Sequence, residues 1–568
     1  MTASFAPTNL ALTHWPAYLQ RSLVKPHTTL YDNLAISTRR YGPRTAIGFF
    51  GQDVSYDELS SVAERFAGWL QHEVGLVAGD RVMLYMQNCP QWIMAYYGTQ
   101  RADGVCVPAN PMCKAEELKY LLQDSGAKVV VCSQELLPQV IEAIEGTDVQ
   151  RVVQTCYADY IVLNGGFELP AWLTAPAEPT AGPSFIRWSD VLATPHSPNP
   201  TKAKAEDLAV INYTSGSTGH PKGCMHTHQT YMHTMVGLST WHGHPPGTVF
   251  LGVSPMYQVA GITVGVHGFV YVGGTIVPMP RWDRRLAAQL IAHYQVHFAG
   301  IAPAAIIDML ADQKIDSTQL RSLRRVSFGG ATMPESVWQE LNERLGLQFI
   351  EAYGMTETAA TTHINPIHRP KRQCAGLPFF DTDCRLIDPE SRMEVPLGQE
   401  GEIVIHGPQL FMGYWGRPED TGESFIWLDG KKFFRSGDVG RLDDEGYLHI
   451  TDRIKRMINA SGFKVWPAEV ENKLHDHPAI KEVCVIGASD PYRGETVKAF
   501  VVLHERYVGT IHAEDIIDWA RNCMAAYKYP REVEFVESLP RSPVGKVMWR
   551  EMQEEENKRR AGGAGQSN

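Results

Sequence analysis

Between residues 44 and 153, short β-rich apolar runs alternate with stretches whose apolar residues recur at helical spacing. Arg81-Val82-Met83-Leu84-Tyr85 and Val105-Cys106-Val107-Pro108 read as strands, while Leu59, Val62, Ala63, Phe66 and Leu70, and again Leu118, Leu121 and Leu122, mark one face of a helix. This alternation predicts an α/β fold in which helices cover both faces of a mainly parallel sheet. The pattern resumes at Leu208 and continues through strand candidates at 248–253, 275–278, 325–328 and 347–350. Residues 174–204, rich in proline, alanine and threonine, predict an irregular excursion between the two stretches. After Pro378 the texture changes to short, turn-punctuated runs such as Gly401-Glu402-Ile403-Val404-Ile405 and Gly446-Tyr447-Leu448-His449-Ile450, which predict a small barrel-like or antiparallel unit. From 455 to 537 a helix at 467–475, strands at 483–486 and 497–503, a helix at 513–527 and a strand at 532–536 predict an α+β module of its own. The tail 551–568 is charged and then glycine-rich, a composition expected to be disordered.

The apolar run Leu208-Ala209-Val210-Ile211-Asn212 leads into Tyr213-Thr214-Ser215-Gly216-Ser217-Thr218-Gly219-His220-Pro221-Lys222-Gly223. Glycines let the backbone N–H groups close on an anion, hydroxyls add donors and the lysine adds charge, so this loop is suited to phosphates. With a helix expected from His226 to Trp241, the context reads strand, glycine loop, helix. Lys222 is followed by Gly223 instead of a hydroxyl, which disfavours a P-loop kinase or ATPase.

The chain has 568 residues, 44% of them hydrophobic, and calls for two or more domains. A formal charge of −11 with scattered basic residues argues against nucleic-acid binding. Ten cysteines without a C-x-x-C pair, several in apolar runs, predict buried free thiols in a reducing compartment. No leader-like start and no apolar run of membrane-spanning length is present, so a soluble cytoplasmic protein with no integral membrane segment is expected. His226, His228, His242 and His244 have the H-x-H spacing of metal ligands, but no cysteine or carboxylate cluster accompanies them; solvated or partner-satisfied imidazoles are expected.

Four further clusters share the chain with the loop: Glu351-Ala352-Tyr353-Gly354-Met355-Thr356-Glu357-Thr358; Phe433-Phe434-Arg435-Ser436-Gly437-Asp438 with the junction Thr451-Asp452-Arg453-Ile454-Lys455-Arg456; Ala460-Ser461-Gly462-Phe463-Lys464-Val465-Trp466-Pro467; and Leu539-Pro540-Arg541-Ser542-Pro543-Val544-Gly545-Lys546. In this order they resemble the adenylate-forming superfamily of acyl-CoA synthetases, luciferases and peptide-synthetase adenylation domains, over nearly the whole length. The resemblance implies a large N-terminal domain (1–454) and a small mobile C-terminal domain (455–550), with ATP, Mg²⁺ and coenzyme A as cofactors. It implies that Thr214, Ser215, Gly216, Ser217, Thr218, Gly219 and Lys222 hold the β- and γ-phosphates, that Thr356 contacts the α-phosphate and that Glu357 binds the metal. Tyr353 would stack on adenine, flanked by Gly330 and Ala331; Asp438 would take the ribose hydroxyls with Arg453 alongside; Lys455 would be the hinge, Gly462 would line the pantetheine tunnel and Lys546 would enter the site for adenylation.

The residue types suit those roles. Attack of a carboxylate on a phosphate joins two anions, so a metal and a lysine must offset the charge that builds on the leaving pyrophosphate. Glu357 is a hard oxygen ligand of the kind Mg²⁺ prefers, Asp438 can accept two hydrogen bonds from a vicinal diol, and Lys546 is a point charge on a flexible stem. By the same resemblance the acyl pocket is lined by 231–241, 256–265, 300–305, 328–333 and 353–362, in which Glu357 is the one acidic residue and no lysine or arginine occurs. An ammonium group would stay unpaired there, so an apolar carboxylic acid is expected: a medium- or long-chain fatty acid first, an aryl or a branched or short-chain acid second. Tyr257, Gln258, Gly261 and Gly265 are the named pocket residues. The two glycines, four apart, would open one helix face to a long chain, and Gln258 stands where many relatives have histidine. The Pro540 to Lys546 loop also resembles the target of a lysine acetyltransferase, and a homodimer is compatible with the resemblance. An inactive acyl-adenylate-binding regulator is the non-enzymatic alternative; Lys222, Glu357, Asp438, Arg453 and Lys546 together argue against it.

Overall fold

The computed structural model describes residues 13–214, 221–330, 333–460, 463–490, 494–541 and 547–563. The chain divides into two compact units, one of Met1–Asp383, Ile405–Phe434 and Glu445–Tyr447, the other of Cys384–Val404, Arg435–Asp444 and Leu448–Asn568.

In the first unit the apolar runs become the inner strands of two sheets. The eight-stranded sheet runs, edge to edge, Gly413–Tyr414, Lys222–Thr227, Leu208–Thr214, Val105–Pro108, Arg81–Tyr85, Val129–Ser133, Arg151–Thr155 and Phe185–Arg187. From Leu208–Thr214 towards Phe185–Arg187 every pair is parallel. Every residue of Val129–Ser133 is buried. Val129 and Val131 belong to one apolar core and Val130 and Cys132 to another, the period-two division of a strand covered on both faces. The nine-stranded sheet is also parallel inside and antiparallel at its edges. Helix Tyr56–His72 starts on a capping box between Ser55 and Glu58 and buries Leu59, Val62, Ala63, Phe66 and Leu70, the face its spacing predicts.

The strand expected at 347–350 is Phe349–Met355. It extends because Arg325–Gly329 pairs along one edge and Ala360–Ile364 along the other, contacts that local composition does not encode. Beyond Pro378, Lys431–Leu442 pairs antiparallel first with Phe425–Leu428 and then with Leu448–Arg453. Among the described residues no helix is long and apolar enough to cross a membrane, and none of the ten cysteines forms a disulfide; Cys113 is half-buried and Cys523 exposed.

The C-terminal part of the second unit is a sheet with Gly494–Leu503 at its centre, flanked by Ile480–Asp490, Ile458–Ala460 and the parallel strand Glu532–Phe535. Val483 and Val485 face a core shared with Val470 and Leu474 of helix Pro467–Leu474 and Ile516 and Ala520 of helix Ala513–Cys523. Cys484 and Ile486 face the other way, onto Leu539 and Met552. Met552 lies in helix Trp549–Gly563, so the expectation of a disordered tail from 551 is corrected: residues to Gly563 are helical, and 564–568 lie outside the described residues. The charge run that suggested disorder is an ion network. Lys498 Nζ, in a side chain only 3% exposed, lies 2.7 Å from Glu534 and 3.0 Å from Glu556, and Arg560 Nε is 2.7 Å from Glu556. Composition sees charge but not pairing. Lys498→Met should therefore destabilise this unit by about 1.5–3 kcal/mol, because it removes one cation from Glu556 while Arg559 and Arg560 remain; a thermal melt unchanged from wild type would show that the network contributes nothing.

Candidate active site

The loop singled out in the sequence joins two antiparallel strands, with Tyr213 opposite Gly223 and Thr214 opposite Lys222. Helix His228–His242 begins only after strand Lys222–Thr227. The expected strand, glycine loop, helix order is thus corrected to a β-hairpin, and no helix N-terminus follows the loop directly. The residues after Lys222 take the strand because their backbone pairs on both sides, with Leu208–Thr214 and with Gly413–Tyr414. Ser215, Gly216, Ser217, Thr218 and Gly219 lie outside the described residues. Lys222 Nζ sits 2.5 Å from Asp420 Oδ1 and 5.3 Å from the centre of the Tyr414 ring.

Tyr353 closes towards the end of Phe349–Met355, and Thr356 and Glu357 form the short turn that follows. Gly354 is obligatory in this turn: a Cβ there would lie 1.3 Å from the Ala360 carbonyl oxygen, where the two strands cross at a bulge. His226 Nε2 is 2.7 Å from the Thr356 carbonyl oxygen and its Nδ1 is 3.2 Å from Thr230 Oγ1. Burial holds His226 down to about 4, so the ring is neutral near neutral pH and acts as a brace, with Nε2–H donating. Tyr414 Oη donates to Glu357 Oε1 at 2.9 Å, and the Phe411 N–H donates to the Glu357 carbonyl oxygen at 2.9 Å. Burial first, and the Glu357 carboxylate second, push the Tyr414 phenol well up, which keeps it a donor. Lys222 and Glu357, cation and hard carboxylate, therefore share Tyr414 as a common neighbour.

Gly330 directly follows the neighbouring strand Arg325–Gly329 with φ +93°, and Ala331 lies outside the described residues. Glu351, a buried carboxyl, accepts from the Met333 N–H at 3.0 Å just beyond them. Asn212 Nδ2 donates to the Tyr257 carbonyl oxygen at 3.2 Å while Asn212 Oδ1 accepts from Tyr231 Oη, so the hairpin and the proposed acyl-pocket segment share one buried amide. Gln258 Nε2 reaches the Tyr257 hydroxyl at 3.5 Å. Gly261 and Gly265 lie in a π-helix, Gly261–His267, and the expectation that both open a face to a long chain is corrected for Gly261: its missing Cβ would meet the Pro255 carbonyl oxygen at 2.1 Å, so the space is occupied by backbone. At Gly265 a Cβ would meet only the Phe250 ring, at 3.2 Å.

In the second unit Asp438 pairs in register with Arg453, and the Arg453 Nε lies 2.8 Å from Asp438 Oδ1. Asp438 is buried and Arg453 exposed. Lys455 is in the short turn Ile454–Arg456. Gly462 and Lys546 lie outside the described residues.

Sequence reasoning did not single out Asn212, Tyr414 or Asp420, and it read His226 as a bystander. The aromatic pair Tyr414-Trp415 between two glycines was the available signal for Tyr414. The others are recognisable only through pairing.

A family model described as AMP-binding enzyme matches residues 34–415, and one described as AMP-binding enzyme C-terminal domain matches 469–546. A long-chain-fatty-acid–CoA ligase of Bacillus subtilis (strain 168) is 33% identical over 96% of this chain and 98% of its own. A feruloyl-CoA synthase of an Amycolatopsis species is 31% identical over 95% and 98%. The crystal structure of ATP-bound MatB from Rhodopseudomonas palustris superposes with a TM-score of 0.81 at 28% identity, covering 93% of this chain and 99% of that one. With a cation, a hard carboxylate and a hydroxyl gathered at one hairpin, and both domain models matched in order, the chain belongs to the AMP-binding enzyme family and is an ATP-dependent, AMP-forming acyl-CoA ligase.

Proposed function

We propose that the acid is a medium- or long-chain fatty acid. The observation that carries this reading is that the pocket segments hold no lysine or arginine and no acidic residue besides Glu357, while Met256, Val259, Ile262 and Met333 from them sit in the main apolar core. The long-chain ligase named above supports it. The feruloyl-CoA synthase supports an aryl acid as the second reading. Pyrophosphate release and thioester formation across fatty, aryl and short branched acids test the choice; preference for ferulate or benzoate over decanoate would overturn it.

In the first step an oxygen of the acid's carboxylate bonds to the α-phosphorus, the bridging P–O bond to the β-phosphate breaks, and pyrophosphate leaves. In the second the thiolate of coenzyme A bonds to the acyl carbon and AMP leaves. We assign Thr214, Ser215, Gly216, Ser217, Thr218, Gly219 and Lys222 to the β- and γ-phosphates and Thr356 to the α-phosphate. Tyr353, Gly330 and Ala331 take the adenine, and Asp438 and Arg453 the ribose. The Glu357 carboxylate, oriented by Tyr414, suits Mg²⁺, which when bound would neutralise phosphate charge. Gln258 is neutral, so no imidazolium at that position helps to draw in the carboxylate. Lys455 is the hinge between domains 1–454 and 455–550, and Gly462 lines the path of pantetheine.

Lys546 serves the first step alone in this reading. Lys546→Ala should abolish adenylate formation while thioester formation from supplied acyl adenylate persists; equal loss of both would count against alternating domains. Acetylation of Lys546 would remove its charge and block the first step, and mass spectrometry on protein from deacetylase-deficient cells checks it. Cytoplasmic residence and a homodimer complete the reading, the latter open to sedimentation.

A further inference from the structure

Helix Ala115–Ser125 carries no basic residue in its last turn; it carries Asp124 there, where a negative charge faces the negative end of the helix dipole. Such a placement costs stability unless the carboxylate is needed. Asp124 Oδ2 accepts from Tyr213 Oη at 2.6 Å, and Asp124 Oδ1 is 3.4 Å from Arg417 Nη2. The same guanidinium nitrogen donates to Tyr120 Oη at 2.7 Å, and Tyr120 Oη donates onward to the Pro221 carbonyl oxygen at 3.0 Å. Trp415 Nε1 donates to the Asp124 carbonyl oxygen at 3.0 Å, and the Trp415 N–H donates to the Gly223 carbonyl oxygen at 2.8 Å. Burial, and then the Asp124 carboxylate, push the Tyr213 phenol far up, which keeps its proton in the bond.

Tyr213 and Pro221 immediately precede Thr214 and Lys222, so the cluster grips the hairpin at both of its ends. Strand pairing ties the hairpin to the rest of the sheet only further from the loop, at Val210 on one side and at Cys224 and Met225 on the other, whereas Thr214 and Lys222 themselves pair with each other. The helix supplies a reference close to the loop.

We propose that Asp124, through Tyr120, Tyr213 and Arg417, is a positioning residue that sets Thr214 and Lys222 for the triphosphate, an inference that rests on the phosphate roles assigned above. Binding of Mg-ATP to the full chain, measured by calorimetry, tests it without requiring turnover. Asp124→Asn should weaken ATP binding about tenfold, the worth of one charge-assisted hydrogen bond. Tyr213→Phe should do the same, and the double variant should be no weaker than the worse single, because both remove one interaction. Thioester formation from supplied acyl adenylate, and the thermal midpoint, should stay near wild type. Unchanged ATP affinity in Asp124→Asn, additive losses in the double variant, or parallel loss of both half-reactions would overturn the proposal. A wild-type enzyme that binds ATP but releases no pyrophosphate with any acid would instead refute the assigned reaction, and the affinity comparison would still judge the anchor.

Discussion

Glu357→Gln is expected to lower the rate of acid-dependent ATP–pyrophosphate exchange by about 10²–10³, the range seen when one electrostatic partner of a reacting anion is removed. The substitution keeps the side-chain length and the Oε1 acceptor for Tyr414, and the Phe411 N–H still meets the backbone carbonyl, so the turn should survive. What goes is the negative charge a divalent cation requires, and raising Mg²⁺ should restore part of the rate. Tyr414→Phe offers the contrast: it removes one charge-assisted hydrogen bond but leaves the carboxylate's charge, and should cost about tenfold, the low end of the roughly 1.5–3 kcal/mol such bonds contribute. Equal effects of the two substitutions, or a Glu357→Gln rate within a few-fold of wild type, would mean that the carboxylate is structural.

Acidification should unfold the protein abruptly. Burial holds His226, His228 and His233 down to about 4, and His244, His267 and His363 down to about 3. Neighbouring charges make smaller contributions: Lys25 lowers His233 further, Arg325 lowers His244 and His228 lowers His267, whereas hydrogen bonds to the Thr356 and Phe380 carbonyls and the acids near His228 oppose burial. In the unfolded chain each would take a proton near 6.5. Below that pH the unfolded state binds more protons than the folded one, so stability is retained above about 6.5 and falls as pH drops towards 4. Each group removes roughly 1.4 kcal/mol per pH unit across its window. Near pH 5 their joint effect is on the order of 10 kcal/mol, the size of a whole domain's stability. Circular dichroism against pH should show cooperative loss of structure between about 6 and 4.5. His363→Leu should move that midpoint towards lower pH, because it removes one of these proton acceptors and its Nε2 has no hydrogen-bond partner. Native signal persisting at pH 4 would refute the account.

The sheet interiors were legible because period and burial agree there: Val129-Val130-Val131-Cys132 is apolar at each position and is buried at each. Arg81–Tyr85, Val105–Pro108 and Thr275–Pro278 fall where the pattern places them. Elements fixed by distant partners were not. Lys222–Thr227 reads as the end of a loop and the start of a helix until the pairing with residues almost two hundred positions later is known, and the chain from 551 reads as disorder until Lys498 is paired with Glu556. Within the site, the motif residues announced themselves by type, whereas Asn212, His226, Asp124 and Asp420 act by touching those residues and have no local signature.

A cradle made from a strand pair lacks the aligned peptide dipoles that a helix end would bring to bear on an anion. On the phosphate roles proposed above, Lys222 is the cation this hairpin offers a polyphosphate, and in this conformation that ammonium is shared with Asp420. Evolution can retune nucleotide affinity at such a grip by single exchanges around one ammonium group, leaving the backbone scaffold untouched.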